Sequence, residues 1–183
     1  MAVHDSDLLK LLDDLPLLSN EIEVYRAVFP GTRSPLVASN RGGRWAPPGV
    51  SVLYTSTEYD GAIAEVASWL STLVPRPRDT RLTVHKLRVS FERAARLEPA
   101  LLARLGIDLD NYTLRQYEKT SSIGACLAHL GYDAVFVRSA RWSCDNLVLF
   151  EQNQSIDNIA HDGQGTEVDW IDWLETHQDK VSE

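Results

Sequence analysis

A stretch of twenty residues, from 30 to 49, separates the first two predicted strands and has neither helical nor strand periodicity. It contains four prolines and four glycines. A loop of this length inside a compact domain is usually functional or disordered. The flanking segments, residues 21–29 and 51–55, are rich in β-branched and aromatic side chains and predict strands. The fold must therefore connect two strands through a long irregular loop, which makes that loop a candidate for function.

The remaining segments predict helices and strands in an irregular order. Apolar spacing predicts helices over residues 5–15, 56–73, 99–106, 120–130 and 168–177, with Ser56 or Thr57 as the N-cap of the second. Strands are predicted over residues 81–91, 134–137 and 146–150, and a break in alternation near Lys86 suggests a β-bulge. The absence of regular βαβ alternation favours a single α+β domain over a doubly wound parallel sheet.

Charge is divided unequally along the chain. Residues 1–150 contain 17 acidic and 17 basic side chains, whereas residues 151–183 contain nine acidic side chains and one lysine. This pattern gives no basic surface of the kind that binds nucleic acids, so we expect no direct nucleic-acid partner. No apolar run approaches the roughly 20 residues of a membrane-spanning helix. We therefore expect no membrane partner.

The remaining composition bears on location and on metals. Residues 1–7 lack the basic and apolar regions of a signal peptide. The two cysteines and five histidines show no metal-ligand spacing, so we expect no metal site. A cytoplasmic protein fits these features, because that compartment keeps unpaired thiols reduced.

Residues 41–49, Arg-Gly-Gly-Arg-Trp-Ala-Pro-Pro-Gly, are the first candidate for chemistry. Adjacent glycines allow a backbone to approach a ligand closely. Arg44 follows them directly, and a buried arginine can hold a diphosphate through paired hydrogen bonds. Trp45 can stack on a ligand or simply pack. The alternative is a structural loop with a surface arginine, since short glycine-rich matches are weakly specific.

Four further polar residues are candidates because of their positions in the predicted elements. Tyr54 ends a predicted strand, and Glu65 lies near the inward stripe of the next helix, where a carboxylate needs a partner or a purpose. The alternative for Glu65 is the edge of the stripe, pointing to water. Ser139 follows a buried strand and Asn146 opens the next, but both also fit ordinary turn or cap residues.

In order and spacing, these segments resemble the RES domain family, named for an Arg, a Glu and a Ser. The resemblance covers about residues 23–150, and its segments are Val-Tyr-Arg at 24–26, Gly-Gly-Arg-Trp-Ala-Pro-Pro-Gly at 42–49, Val-Leu-Tyr-Thr at 52–55, Ala-Ile-Ala-Glu-Val at 62–66, Gly-Tyr-Asp-Ala-Val-Phe-Val-Arg-Ser-Ala-Arg at 131–141 and Asn-Leu-Val-Leu-Phe at 146–150. It implies an ADP-ribosyltransferase-like fold, with a split mixed β-sheet core and flanking helices. We expect an N-terminal helical extension at 1–20, a RES domain at 21–152 and an acidic C-terminal extension with a short helix at 153–183.

The resemblance also implies a function. RES proteins are toxins of bacterial toxin–antitoxin pairs, and some deplete NAD+ by hydrolysis or phosphorolysis at the nicotinamide–ribose bond. Others ADP-ribosylate a protein, and this activity is the first alternative hypothesis for the present chain. A non-catalytic binding module that uses the same pocket is the second alternative. NAD+ is thus the expected ligand, as a substrate, without a metal. The expected partner is an Xre-type helix-turn-helix antitoxin that blocks the pocket, in a homodimer or a toxin–antitoxin hetero-oligomer.

The resemblance gives roles to individual residues of this sequence. The family's Arg, Glu and Ser are Arg44, Glu65 and Ser139, with Ser143 as the alternative serine. The predicted catalytic residues are Arg44, Tyr54, Glu65 and Ser139. The predicted NAD+-binding residues are Tyr25, Arg26, Gly43, Trp45 and Asn146. In this hypothesis Glu65 stabilises the ribosyl cation, Tyr54 stacks on nicotinamide, and Arg44 with Arg26 holds the diphosphate.

Overall fold

A computed structural model describes residues 6–77 and 79–181. Its elements, in chain order, are helix α1 (Ser6–Asp13), strands β1 (Leu18–Val28) and β2 (Val52–Ser56), helix α2 (Tyr59–Leu70), strand β3 (Arg81–Leu97), helices α3 (Pro99–Arg104) and α4 (Glu118–His129), strands β4 (Ala134–Arg138) and β5 (Asp145–Phe150), a 3₁₀ turn (Ile156–Asn158), strand β6 (Ile159–Asp169) and helix α5 (Trp170–Thr176). The predicted α+β class is confirmed. Residues 1–5 of the predicted N-terminal extension and first helix, and residues 182–183 of the predicted C-terminal extension, lie outside the described residues.

The six strands form one mixed sheet that consists of two halves. Strand β3 pairs with β1 and β6 in the first half, and β5 pairs with β2 and β4 in the second. Two joints connect the halves. Strand β3 runs parallel to β4 over Ala94–Leu97, and β1 pairs with β2 at Tyr25 and Ser56. This is the split mixed sheet with flanking helices that the resemblance to the RES domain family implies.

Three apolar clusters hold the layers together, since burial of apolar surface is the main force for folding. The first contains buried residues of five strands, between the two halves of the sheet. The second packs α2 and α5 on the outer side of β1 and β3. The third packs α1, α3, α4 and the loop at 45–46 on the outer side of β2, β4 and β5. The long loop therefore takes part in the core, although its own regular structure is limited to two isolated bridges, at residues 39 and 43.

Several local predictions can be compared directly with the structure. The predicted bulge is confirmed by a register shift between His85 and Leu87 in the pairing of β3 with β6. The predicted N-cap of α2 is wrong, because the helix begins after Glu58 and no side chain caps it. The hydroxyl of Ser56 instead contacts the Cys144 thiol, and that of Thr57 donates to the carbonyl of Asp145.

Strand β6 is the main element that the sequence analysis does not predict. Residues 159–169 include two glycines and several polar side chains, so their own strand preference is weak. They form a strand because β3 offers an open edge, to which they pair from Arg81 to Val89. The predicted last helix consequently begins at Trp170 rather than at residue 168. Among the described residues, no helix is long and apolar enough to cross a membrane.

Gly124 on α4 allows a close approach between this helix and the long loop. A Cβ atom at this position would lie 1.8 Å from the carbonyl oxygen of Trp45. At an unconstrained helix position, replacing glycine with alanine stabilises a protein by about 1 kcal/mol. We expect Gly124→Ala to have the opposite sign and to lower the free energy of unfolding by about 1–3 kcal/mol, since the backbone must shift.

Urea denaturation of Gly124→Ala measures this effect, and Ser122→Ala on the exposed side of the same helix is the control. Both changes raise helix propensity, but only Gly124→Ala places a new atom against Trp45. A Gly124→Ala protein as stable as the wild type would contradict the described packing.

Candidate active site

Glu65 lies at the centre of a cluster formed by α2, the end of β4 and the start of β5. Its Oε1 accepts hydrogen bonds from Ser139 Oγ at 2.7 Å, Asn146 Nδ2 at 2.8 Å and the backbone N–H of Ala140 at 3.3 Å. Within the described part of the chain, no donor reaches Oε2. Glu65 therefore faces inward, with one oxygen fixed and the other available to a ligand. We call Glu65, Ser139 and Asn146 the Glu65 cluster.

Ser139 combines the turn role and the site role that the sequence leaves open. Its hydroxyl donates to Glu65 and accepts the backbone N–H groups of Arg141 and Trp142, at 3.1 and 3.2 Å. These two bonds occupy the lone pairs of the oxygen, so the hydroxyl is suited to orient the carboxylate rather than to attack a substrate. Ser143 is exposed and makes no hydrogen bond to Glu65 in the described structure. The structure thus brings Ser139, and not Ser143, to the glutamate.

Arg44 is fixed by aromatic side chains from the segment between α3 and α4. The carbon atom of its guanidinium group lies 4.8 Å from the ring centroids of both Tyr112 and Tyr117. One terminal nitrogen donates to the carbonyl of Leu114 at 3.2 Å. Cation–π contacts of this kind stabilise a guanidinium in a defined place. We call Arg44, Tyr112 and Tyr117 the Arg44 cluster.

Tyr112 connects the two clusters. Its ring contacts Arg44, and its hydroxyl donates to the carbonyl of Arg138, the residue before Ser139, at 2.9 Å. Burial raises the pKa of Tyr112 to about 12, and the charges of Arg44 and Glu65 both act on it. Tyr112 and Tyr117 were missed in the sequence analysis. The available signal was two tyrosines in Asn-Tyr-Thr-Leu-Arg-Gln-Tyr, a segment without helical or strand periodicity.

Tyr54 lies against residues 43–45 of the long loop. Its hydroxyl accepts the backbone N–H of Trp45 at 3.2 Å, and burial raises its pKa to about 12. The hydroxyl is therefore neutral at physiological pH. A Cβ atom at Gly43 would lie 2.7 Å from the Tyr54 oxygen, so the glycine is required by the tyrosine itself. The charges of Tyr117, Glu65 and Arg44 also act on the pKa of Tyr54.

Three other residues that were predicted to bind NAD+ make contacts within the protein, near Tyr54 and the long loop or beneath α2. Arg26 donates to the carbonyls of Tyr54 and Val37, at 3.2 and 2.8 Å, and burial lowers its pKa to about 10. It therefore ties the long loop to β2. Trp45 is 1% exposed, so of the two alternatives it packs in the core. Tyr25 makes an edge-to-face contact with Tyr59, at 5.9 Å between ring centroids, under α2.

A cavity of about 340 Å³ opens beside Ser139. It is lined by Arg138, Ser139, Trp142, Ser143, Cys144 and Asp145. The Cys144 thiol lies 3.2 Å from the Ser56 hydroxyl, and burial raises its pKa to about 11. The sulfur is therefore protonated and a poor nucleophile. Residues 6–77 and 79–181 contain no group of His, Cys, Asp and Glu side chains arranged to hold a metal ion.

The site combines a fixed carboxylate, a fixed guanidinium and a neutral phenol. A carboxylate with one free oxygen can stabilise a positive charge that develops on a ligand. A guanidinium has five N–H donors, of which the Arg44 group uses one for Leu114, so the others can bind an anionic group. This arrangement is suited to a ligand that carries negative charge at one end and acquires positive charge at the other.

Comparison with known proteins gives a family and a fold. A family model described as the RES domain matches residues 23–171, which extends through β6. Among solved structures, the chain is similar to one described as the crystal structure of the M. tuberculosis MbcT–MbcA toxin–antitoxin complex. The TM-score is 0.76 and the sequence identity 18%, over 93% of this chain and 97% of that chain. At this identity the likeness concerns the fold. No curated protein matches the sequence.

The raised pKa of Tyr54 makes stability dependent on alkaline pH. Its folded-state value of about 12 lies above the ordinary value of 10.0, so ionisation favours the unfolded chain. The stabilising effect is complete below pH 10 and is lost as the pH rises towards 12. We expect Tyr54→Phe to be less stable than the wild type at pH 8, by about 1 kcal/mol for the lost hydrogen bond. The difference should shrink by about 1 kcal/mol at pH 11.

Urea denaturation of both proteins at the two pH values provides the measurement. The pKa of Tyr112 is also raised, but this tyrosine is present in both proteins, so its effect on stability cancels when the two are compared. An equal stability difference at pH 8 and pH 11 would show that the Tyr54 phenol is not buried as described.

Proposed function

The chain belongs to the RES domain family, and from this membership we propose that it is the toxin of a toxin–antitoxin pair that cleaves the nicotinamide–ribose bond of NAD+. The observation that carries the proposal is the Glu65 carboxylate. Three donors hold its Oε1, while Oε2 is free of protein donors within the described chain. The Arg44 cluster lies next to it through Tyr112.

The chemistry of the bond explains why a fixed carboxylate is useful. Cleavage passes through an oxocarbenium-like transition state, as in glycoside hydrolysis. Positive charge grows on the ribose, while the departing nicotinamide becomes neutral. A carboxylate that is already oriented stabilises this charge without reorganising during the reaction. The bonds from Ser139 and Asn146 supply that orientation. We assign Glu65 Oε2 to the ribose.

Arg44 is assigned to the diphosphate of NAD+. Guanidinium groups bind phosphate oxygens through paired N–H donors, and the contacts with Tyr112 and Tyr117 fix the group before a ligand arrives. Arg26 remains the second candidate for the diphosphate, because two of its five N–H groups donate to backbone carbonyls and its buried Nε has no partner among the described residues. Tyr54 remains the candidate to stack on nicotinamide, a contact of about 1 kcal/mol beyond simple burial.

We further propose that an Xre-type antitoxin covers this site. The similar structure is that of a toxin–antitoxin complex. On the present chain, Phe29 and Trp69 are 43% and 45% exposed and contact each other at 6.3 Å between ring centroids. Leu114, whose carbonyl bonds Arg44, is also 45% exposed. Exposed apolar side chains next to a site are typical of a surface that a partner covers.

The acceptor of the ribosyl group distinguishes three activities within this proposal: hydrolysis, phosphorolysis and ADP-ribosylation of a protein. We rank depletion of NAD+, with water or phosphate as acceptor, above transfer of ADP-ribose to a protein. Mass spectrometry of NAD+ incubated with the purified protein, with and without phosphate and with and without cell lysate, separates them. Release of ADP-ribose indicates hydrolysis, a phosphorylated product indicates phosphorolysis, and a protein mass increase indicates modification. No nicotinamide release under any condition would leave only a binding module and would refute the proposal.

Glu65→Gln tests the charge of the carboxylate. Glutamine keeps the shape of the side chain and an oxygen that can accept from Ser139, but it cannot stabilise a cation. We expect the rate of nicotinamide release to fall by about 100-fold or more. Glu92→Gln, at an exposed position of β3, is the matched control and should leave the rate unchanged. An active Glu65→Gln protein would exclude Glu65 as the residue that stabilises the cation.

Arg44→Lys tests the binding of the diphosphate. Lysine keeps the positive charge but loses the paired donors and the planar group that contacts the two tyrosines. We expect the KM for NAD+ to rise by roughly tenfold, with a smaller change in kcat, because this contact lies away from the bond that breaks. A fall in kcat at unchanged KM would place Arg44 at the reacting ribose instead.

A further inference from the structure

We propose that helix α5 positions the Ser139 turn, residues 139–144, against α2 and thereby fixes the hydrogen bond between Ser139 and Glu65. The expected effect on kcat rests on the proposed function, whereas the expected effect on the structure of the turn does not. The residues that make the contact, Trp173 in α5 and His177 at its C-cap, lie beyond residue 171, where the family match ends.

Trp142 is the residue of the turn that α5 contacts. Its backbone N–H donates to Ser139 Oγ, while its indole N–H donates to Glu58 Oε2 at 3.1 Å. Its ring lies 5.6 Å from that of Trp173 and 5.9 Å from that of His177, between centroids. One residue thus joins the site serine to the start of α2 and to α5.

Trp173 and His177 form the other side of this aromatic group. Their rings are stacked at 4.5 Å with an interplanar angle of 16°. The indole N–H of Trp173 donates to Asp60 Oδ1, in the first turn of α2, at 2.9 Å. Trp173 is 8% exposed, so these contacts are largely removed from water. We call Trp142, Trp173 and His177 the aromatic clamp.

The sheet anchors the start of α5. Asp169 caps the helix by accepting the backbone N–H groups of Ile171 and Asp172, and it also bonds the Thr80 hydroxyl. The backbone N–H of Trp170 donates to the carbonyl of Thr80 at 2.8 Å. Because α5 is fixed in this way, the clamp is attached to Thr80, the residue that directly precedes β3.

Helix α2 and the Ser139 turn are therefore joined twice, once through the aromatic clamp and once through the bond between Ser139 and Glu65. Helix α2 provides Glu65 and contacts the clamp through Glu58 and Asp60. The Ser139 turn provides Ser139 and contacts the clamp through Trp142. The 2.7 Å bond between Ser139 and Glu65 spans the same two elements. Loosening the clamp should therefore loosen that bond. The Arg44 guanidinium should be affected less, because its own contacts are with Tyr112, Leu114 and Tyr117 rather than with the clamp.

Hydrogen exchange by mass spectrometry tests the structural part without using NAD+. The amides of Ala140, Arg141 and Trp142 report directly, since they donate to Glu65 or to Ser139. We expect peptides covering residues 139–145 to exchange about 2- to 10-fold faster in His177→Ala and Trp173→Leu, the effect of losing one stacked aromatic pair. Trp173→Phe, which keeps a ring, should restore part of the protection. Glu175→Ala, at an exposed position of α5, is the control and should match the wild type.

Steady-state kinetics of the same variants tests the positioning role. In His177→Ala we expect kcat for nicotinamide release to fall by about 2- to 10-fold with little change in the KM for NAD+. Unchanged exchange of residues 139–145 in folded His177→Ala would overturn the inference, and so would a change in KM alone. If Trp173→Leu does not fold, His177→Ala still decides, because that side chain is only partly buried. If the wild type releases no nicotinamide, the proposed function fails, whereas the exchange experiment still tests the clamp.

Discussion

The three hydrogen bonds on one oxygen of Glu65 are the interaction on which the site depends. A partly buried carboxylate needs partners, and here each partner of Oε1 lies at least 74 residues further along the chain. Helix α2 and the adjacent ends of β4 and β5 must therefore meet at one place. The Ser139 turn shows how this is achieved, because its closing bonds and the bond to Glu65 share one hydroxyl.

The two halves of the site are built in different ways. The Glu65 cluster stands on a helix and on the ends of two paired strands, so regular hydrogen bonding fixes it. The Arg44 cluster stands on two irregular segments that position each other. Arg44 lies in the long loop, and Gly124 allows that loop to pack against α4. The tyrosines that hold its guanidinium also lie outside helices and strands. The position of the Arg44 cluster is therefore determined mainly by tertiary packing and only slightly by local sequence preference.

The same difference explains how far the sequence could predict the structure. Periodicity predicts the helices, five of the strands, the bulge and the long loop, because each depends on local pattern. It also places Glu65 near the inward face of α2. The roles of Tyr112 and Tyr117 arise only from tertiary contact with Arg44. The choice between stacking and packing at Trp45 depends on its burial in the core, and its backbone carbonyl lies against Gly124, 79 positions away in the chain. Strand β6 exists because β3 has an edge to pair with, which no property of residues 159–169 could reveal.

Strand β6 ends the order of strands in the sheet, so within the described chain its outer edge has no paired neighbour. Open edges invite pairing with another molecule, and proteins counter this with charge and irregular backbone. The acidic excess of the chain falls within residues 151–183, which include this strand, and a register shift lies opposite its glycine-containing part. Two copies approaching edge to edge would bring like charges together. Acidic residues of the strand, Glu167 and Asp169 among them, therefore oppose pairing of two copies at this edge.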